Sequence, residues 1–315
     1  MVDDKYRKPS NGKSVHTTYL GVIAILTLTL FYCHTSPQND ESRPKYEFSY
    51  LSRDKDPVCS HMTRENAFGQ FAQDFFLWEI LKDQPRGTFL DLAAAWPRKL
   101  SNTFVLENCL GWKGTCIDAD PEKIPDLRAQ RSCEVRHMCV TEKPTTMFIK
   151  GNKNTGTNAL QERSHNAGYT ELKCDSLDNT LHENVDFMSL DVEGSEAGVL
   201  LGMTKIKADI LLIELSNCCR KDLHPEKIQV VRDFLNKNDY VPIVGFPDKI
   251  ERCNVDSRES GLMVRHMTVD ELFDHDVFKT SKGRWHCQDA LLVRRDSRFL
   301  SAFQGYFECE SATKL

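Results

Sequence analysis

GTFLDLAAA (residues 87–95) and GTCIDADP (residues 114–121) decide the reading of this chain. Both are short apolar runs that meet an acid, the first at Asp91 and the second at Asp118, 27 positions further on. Such runs suit strands buried on both faces, and the interval is one β-α-β unit. Residues 101–110 supply the crossover helix, and Pro121 is placed to open the next one in its first turn. The alternation continues through VDFMSLD (185–191) with a helix from Ser195, and through DILLIEL (209–215). A helix from Pro225 follows, with Ile228, Val231 and Leu235 on one face, and then YVPIVGF (240–246) and DALLVRR (289–295). Ahead of them Phe71, Phe75 and Trp78 recur at i, i+4, i+7 and predict an amphipathic helix over 66–82 with Asn66 as N-cap. Repeated β-α units predict an α/β fold: a Rossmann-like, doubly wound, mostly parallel sheet with helices on both faces. In such sheets ligands bind beyond the carboxyl ends of the strands.

Those ends carry acids. Asp118 is placed to accept hydrogen bonds from a ribose diol. The run Asp191-Val192-Glu193-Gly194-Ser195-Glu196 sets three carboxylates within six residues. They are either a reactive group at the sheet edge or acids that flank a helix N-terminus, where the macrodipole favours them.

The rest of the chain bounds the function. At 315 residues, 40% apolar and 28% charged, it has the mix of a globular protein, and a net charge of -5 offers no basic field for nucleic acid. Thr17 to Cys33 carries no charge and follows Lys5, Arg7, Lys8 and Lys13. It reads as a transmembrane signal anchor, with a cleaved signal peptide as the alternative. The basic flank gives single-pass type II topology: a cytosolic tail (1–16), the span (17–33), a stem (34–64) and a folded domain (65–315) facing the endoplasmic reticulum or Golgi lumen. Twelve cysteines, eleven beyond Cys33 and none in a C-x-x-C pair, point to disulfides in an oxidising compartment. An odd number there permits a disulfide-linked dimer. Residues 141–173, rich in Gly and Asn, read as a mobile insertion suited to a lid.

Taken together, the motifs resemble the FkbM family of methyltransferases. The likeness rests on Gly69-Gln70-Phe71-Ala72-Gln73-Asp74, GTFLDLAAA, Leu100-Ser101-Asn102-Thr103 with Leu106-Glu107, Gly111 to Asp118, and Val185 to Glu196, in register over residues 66–295. It implies S-adenosyl-L-methionine as cofactor, with Asp91, Ala93, Ser101, Asn102 and Asp118 as its contacts. It also implies Asp191 and Glu193 as the catalytic carboxylates on the floor of the site. No metal is required, although Asp191 and Glu193 offer a pair for a divalent ion. The implied reaction is O-methylation of a glycan or other hydroxylated acceptor. The chain departs from the family at Ala93 and Pro97, where glycines are usual. That departure supports a second reading, a catalytically inactive methyltransferase-like membrane protein acting in trafficking or partner binding. A third is a type II glycosyltransferase using the D-x-D of Asp118 and Asp120.

Overall fold

A computed structural model describes residues 56–155, 160–162, 168–215, 225–247, 262–263, 268–274 and 288–303, all within one unit, Asp54–Leu315. Its centre is an eight-stranded sheet. In chain order the strands are β1 (Thr88–Leu92), β2 (Lys113–Asp118), β3 (Glu134–His137), β7 (Val185–Leu190), β8 (Ala208–Glu214), β9 (Tyr240–Pro247), β10 (Leu262–Met263) and β11 (Gln288–Arg294), in the spatial order β10-β9-β11-β8-β7-β1-β2-β3. The five strands β3, β2, β1, β7 and β8 are parallel. β11 runs against both β8 and β9. A smaller sheet of β4 (Cys139–Val140), β5 (Thr145–Ile149) and β6 (Thr170–Asp175) has the order β4-β6-β5.

Period-two alternation sorts the strand side chains between two cores. Leu90, Met188, Leu190, Leu211, Ile213 and Leu292 face one side. There they meet α4 (Leu177–Thr180), α5 (Glu196–Leu201), α6 (Pro225–Lys237) and α7 (Val269–Asp274). Phe89, Phe187, Ile210, Leu212 and Leu291 face the other. Their partners are α1 (Gln73–Leu81), α2 (Phe104–Asn108), α3 (Ile124–Gln130), Phe299 and Phe303. The expected α/β sheet with helices on both faces is therefore present.

The helix expected over 66–82 begins later. Asp74 accepts hydrogen bonds from the amides of Phe68 and Gly69, and Ala72 takes a left-handed φ of 60°, so the chain turns before Gln73. The buried face is Leu77, Ile80 and Leu81. Phe75 and Trp78 pack instead in a satellite cluster with Met62, Val105 and the Cys59–Cys109 disulfide.

The predicted insertion also proves partly ordered. Residues 145–149 and 170–175 are strands, and the Cys139–Cys174 disulfide joins paired residues of β4 and β6 within their sheet. A third disulfide joins Cys116 in β2 to Cys133.

The membrane placement requires correction. Residues 17–33 lie outside the described residues, and among the described residues no helix is long and apolar enough to cross a membrane. The longest of these, α6, has 13 residues. At about 1.5 Å per residue it reaches about 20 Å, well short of about 30 Å of hydrocarbon. The single-pass type II placement facing the endoplasmic reticulum or Golgi lumen, expected above, is withdrawn on this finding.

Arg131, at the end of α3, has no exposed side-chain surface. Its Nε pairs with Glu107 at 2.9 Å, its Nη2 donates to Thr103 Oγ1 at 2.8 Å, and its Nη1 reaches Ser101 Oγ and the Pro97 carbonyl. Asp91 accepts from Thr103 Oγ1 and stands 3.8 Å from Nη1. Removing the cation strands two buried carboxylates. Breaking a buried pair in this way costs about 3–5 kcal/mol, so urea denaturation of Arg131→Gln should show a loss of that size with an unchanged m-value.

Candidate functional site

The carboxyl ends of β1, β2 and β7 open onto a small cleft with about 60 Å³ of interior space. Ile117, Met138, Val140, Ile149 and Leu160 give it apolar walls, while Asp118, Asp120, Lys123 and Glu193 bring polar atoms. The small sheet thus forms one wall of the cleft.

Asp118 ends β2 and is buried. Its Oδ1 accepts the Asp120 amide and its Oδ2 the Ala95 amide, each at 2.7 Å. A carboxylate has about four acceptor positions, so two remain for a ligand. Burial, opposed by those two amides, raises its pKa to about 6. Asp120 is occupied otherwise: its carboxylate takes the amides of Glu122 and Asn152. The D-x-D acids therefore serve as backbone turn acceptors. Across the mouth, residues 151–154 are latched down. Trp96 Nε1 and Lys123 Nζ both donate to the Lys153 carbonyl, and Lys123 Nζ sits 3.9 Å from the Trp96 ring centroid. Gly151 permits the approach, since a Cβ there would lie 2.7 Å from Asp120 Oδ1.

The loop after β1 is strained. Ala93 and Ala95 have φ of 62° and 48°, a left-handed region that glycine occupies without a Cβ penalty. The amides of Ala93 and Ala94 bond the Ile117 carbonyl, and that of Ala95 bonds Asp118. Ala93 lines the cleft. Pro97 lies outside the strained pair and gives its carbonyl to Arg131.

Of the remaining expected cofactor contacts, Asp91 and Ser101 belong to the Arg131 network. Asn102 donates to Ser189 Oγ at 3.3 Å, and its Oδ1 is buried without a hydrogen-bond partner. Nothing in the sequence marks Arg131, because a lone arginine at a helix end reads as a surface residue until Asp91 and Glu107 are seen to converge on it.

The expected catalytic acids separate. Glu193, at φ 55° and followed by Gly194 at φ 93°, lines the cleft. Asp191 lies instead beside Glu196 and Glu214, each offering one oxygen within 4.8 Å of the others. Glu196 also closes the turn before α5, accepting the amides of Val192 and Gly194 at 3.0 and 3.1 Å, as a helix-flanking acid should. Burial and then Glu214 raise Glu196 to about 7, and the same causes raise Asp289 to about 7. Burial first, then Glu214, Asp289 and Glu193, drive Asp191 well above its ordinary range. Neither Glu214 nor Asp289 stood out in the sequence. Each is one acid at the end of an apolar run, and only the antiparallel pairing of β11 with β8 sets them face to face.

Residues 93–242 match the family model described as the methyltransferase FkbM domain. No curated protein matches the chain. Among solved structures it is similar to the methyltransferase FkbM of Methylobacillus flagellatus KT, at 15% identity and a TM-score of 0.35 over 66% of this chain and 43% of that one. This chain thus spans less than half the length of that protein. It is also similar to the precorrin-6y C5,15-methyltransferase of Geobacter metallireducens GS-15 (9% identity, TM-score 0.34, 70% and 87% of the two chains). A third is the O-methyltransferase of a trans-AT PKS multienzyme of Brevibacillus brevis, in complex with S-adenosyl-L-homocysteine (8%, TM-score 0.35, 77% and 78%).

Asp118, Glu196 and Asp289 have folded pKa values raised above their ordinary ones, so the fold binds their protons more tightly than the unfolded chain does. Their stabilisation is fully present below the unfolded values near 4 and is lost as the pH rises through about 6 to 7. In metal-free buffer the thermal midpoint should therefore fall between pH 5 and 8, with Asp118, Glu196 and Asp289 as the source. Separately, Ala93→Gly and Ala95→Gly should each stabilise by about 0.5–1 kcal/mol in urea titrations, since relief of left-handed strain exceeds the entropy of glycine.

Proposed function

We propose that the chain is an S-adenosylmethionine-dependent methyltransferase acting on a hydroxylated acceptor, a glycan among the candidates. One observation carries this reading. A buried acid, Asp118, stands at the end of β2 with free acceptor capacity toward an apolar-walled cleft, inside the segment that matches the methyltransferase domain. The residues present fit an adenosine. Asp118 would hold the ribose diol, while Ile117, Met138 and Val140 would enclose the base. The loop of Ala93 to Ala95 would border the methionine.

S-adenosylmethionine, when bound, supplies an electrophilic methyl group. The chain's own part is to orient the acceptor and take its proton. Glu193 is the acid after β7 that lines the cleft alongside Asp118 and Asp120, and it is assigned as the proton acceptor. Glu196, which accepts the amides of Val192 and Gly194, positions the turn that carries it. The latch of Trp96, Lys123 and Lys153 narrows the mouth and limits water.

A second reading has an observation of its own. The amides of Ala93, Ala94 and Ala95 are all consumed by β2, so this loop offers no backbone donors to a cofactor. A methyltransferase-like scaffold that recognises a protein partner would keep such a loop. Calorimetric titration of the full chain with S-adenosylhomocysteine separates the two. The enzyme reading expects saturable binding that Asp118→Ala weakens by about tenfold or more, or at least about 1.4 kcal/mol. It also expects Glu193→Gln to keep that binding while lowering kcat by about 10²–10⁴. Well-folded protein that takes up no nucleotide would favour the scaffold.

A further inference from the structure

Beside the cleft, four carboxylates crowd the same edge of the sheet. Asp191 follows β7, Glu214 ends β8 and Glu196 opens α5, with one oxygen from each within 4.8 Å of the other two. Glu214 also stands directly opposite Asp289 in the antiparallel β8–β11 ladder, and like charges so placed destabilise a sheet unless something offsets them. A separate observation concerns Asp191 alone. Although the residue is only partly buried, its Oδ1 has no solvent contact and no hydrogen-bond partner. An orphaned carboxylate oxygen is costly inside a protein. Among the described residues no ion pair reaches Asp191, Glu196 or Glu214. The cation that comes near, Lys227, gives its Nζ to the Gly194 carbonyl at 3.1 Å.

The geometry points to a binding site for one hard divalent cation, held by Asp191, Glu196 and Glu214. Asp289 is the outer member, its Oδ2 taken by Gln73 Nε2. The donors are carboxylate oxygens without histidine or thiolate, which selects calcium, magnesium or manganese over zinc or copper. With calcium–oxygen bonds of about 2.3–2.6 Å, two ligands across one ion can stand about 5 Å apart, while magnesium at about 2.1 Å limits them to about 4 Å. The observed spacing takes calcium as it stands, and magnesium or manganese after a slight contraction. Glu193, a lining residue of the cleft, is no part of this trio. The pair of Asp191 with Glu193 expected from sequence is therefore replaced by Asp191 with two acids from other elements. The site stands on these carboxylates alone and does not rest on the methyltransferase reading.

The alternative occupant of the cluster is a proton shared among the acids, and the test separates the two. Full chain stripped with a chelator is titrated near neutral pH with calcium, magnesium and manganese chlorides by calorimetry. Manganese is also followed by loss of the free-ion electron paramagnetic resonance signal. One saturable site is expected, with a thermal midpoint that rises on saturation. Asp191→Asn and Glu214→Gln should each weaken binding at least tenfold, and Asp126→Asn, an exposed acid elsewhere, should leave it unchanged. Folded wild-type protein that takes up none of the three cations up to about 5 mM, beyond the weakest sites of this class, would overturn the proposal. So would binding that Asp126→Asn weakens as much as Asp191→Asn does. Should the cluster variants fail to fold, the wild-type titration decides alone. Absence of nucleotide binding in the earlier experiment would leave this result untouched.

Discussion

The geometry of the cleft hangs on one buried cation. Arg131 bonds Glu107 in α2, Thr103 and Ser101 ahead of it and the Pro97 carbonyl, and it faces Asp91 in β1. The loop between β1 and α2 is held at a further point by Arg98, which pairs with Asp56 at 2.7 Å and lies over Phe68 and Phe104, while Lys99 and Leu100 are exposed. With the guanidinium in place, residues 93–95 are pressed against β2, where their amides find Ile117 and Asp118. The strain at Ala93 and Ala95 is a consequence of that pressing. A local cost of this kind persists only where the surroundings over-determine the backbone, and Arg131 with the Cys116–Cys133 disulfide close by supplies the determination.

Six strands of the main sheet were legible because they announce themselves, whereas β3, the polar EVRH, and the two-residue β10 do not. Phe89, Leu90 and Leu92, or Phe187, Met188 and Leu190, are runs too apolar to face water on either side, and both cores claim them. The helix near residue 70 was misread in its start and in its face. Phe75 and Trp78 have the right period but pack against a disulfide-bound satellite, while Phe71 borders the main core and its deeper stripe of Leu77, Ile80 and Leu81 was overlooked. The small sheet escaped notice for another reason. TTMFI has no regular alternation, and the partner of TELKCD across the Cys139–Cys174 bond lies 35 residues earlier in the chain, which spacing cannot disclose.

The chemistry-bearing residues were legible in type and less so in place. Asp118 ends β2 as the sequence pattern places it, and there it lines the cleft. Asp91 and Ser101 carry the same motif yet serve the Arg131 network. A motif names residues that are kept together, and it does not say which of them face the ligand and which brace the one that does.

The two halves of the strand edge solve the problem of buried acids in opposite ways. On the β1–β2 side each carboxylate is met by donors: Asp118 by two amides, Asp120 by two more, Asp91 by a hydroxyl beside a guanidinium. On the β7–β8–β11 side they are met chiefly by one another, and Glu196 alone of the three clustered acids has backbone donors. Buried carboxylates without donors must hold protons or share a cation. A fold that could have placed an amide or a leucine at Glu214, opposite Asp289, has instead concentrated negative charge at the strand end adjoining the cleft. That concentration serves no packing purpose visible in either core. Its physical sense lies in a positively charged occupant, and the carboxylates supply the oxygens that such an occupant requires.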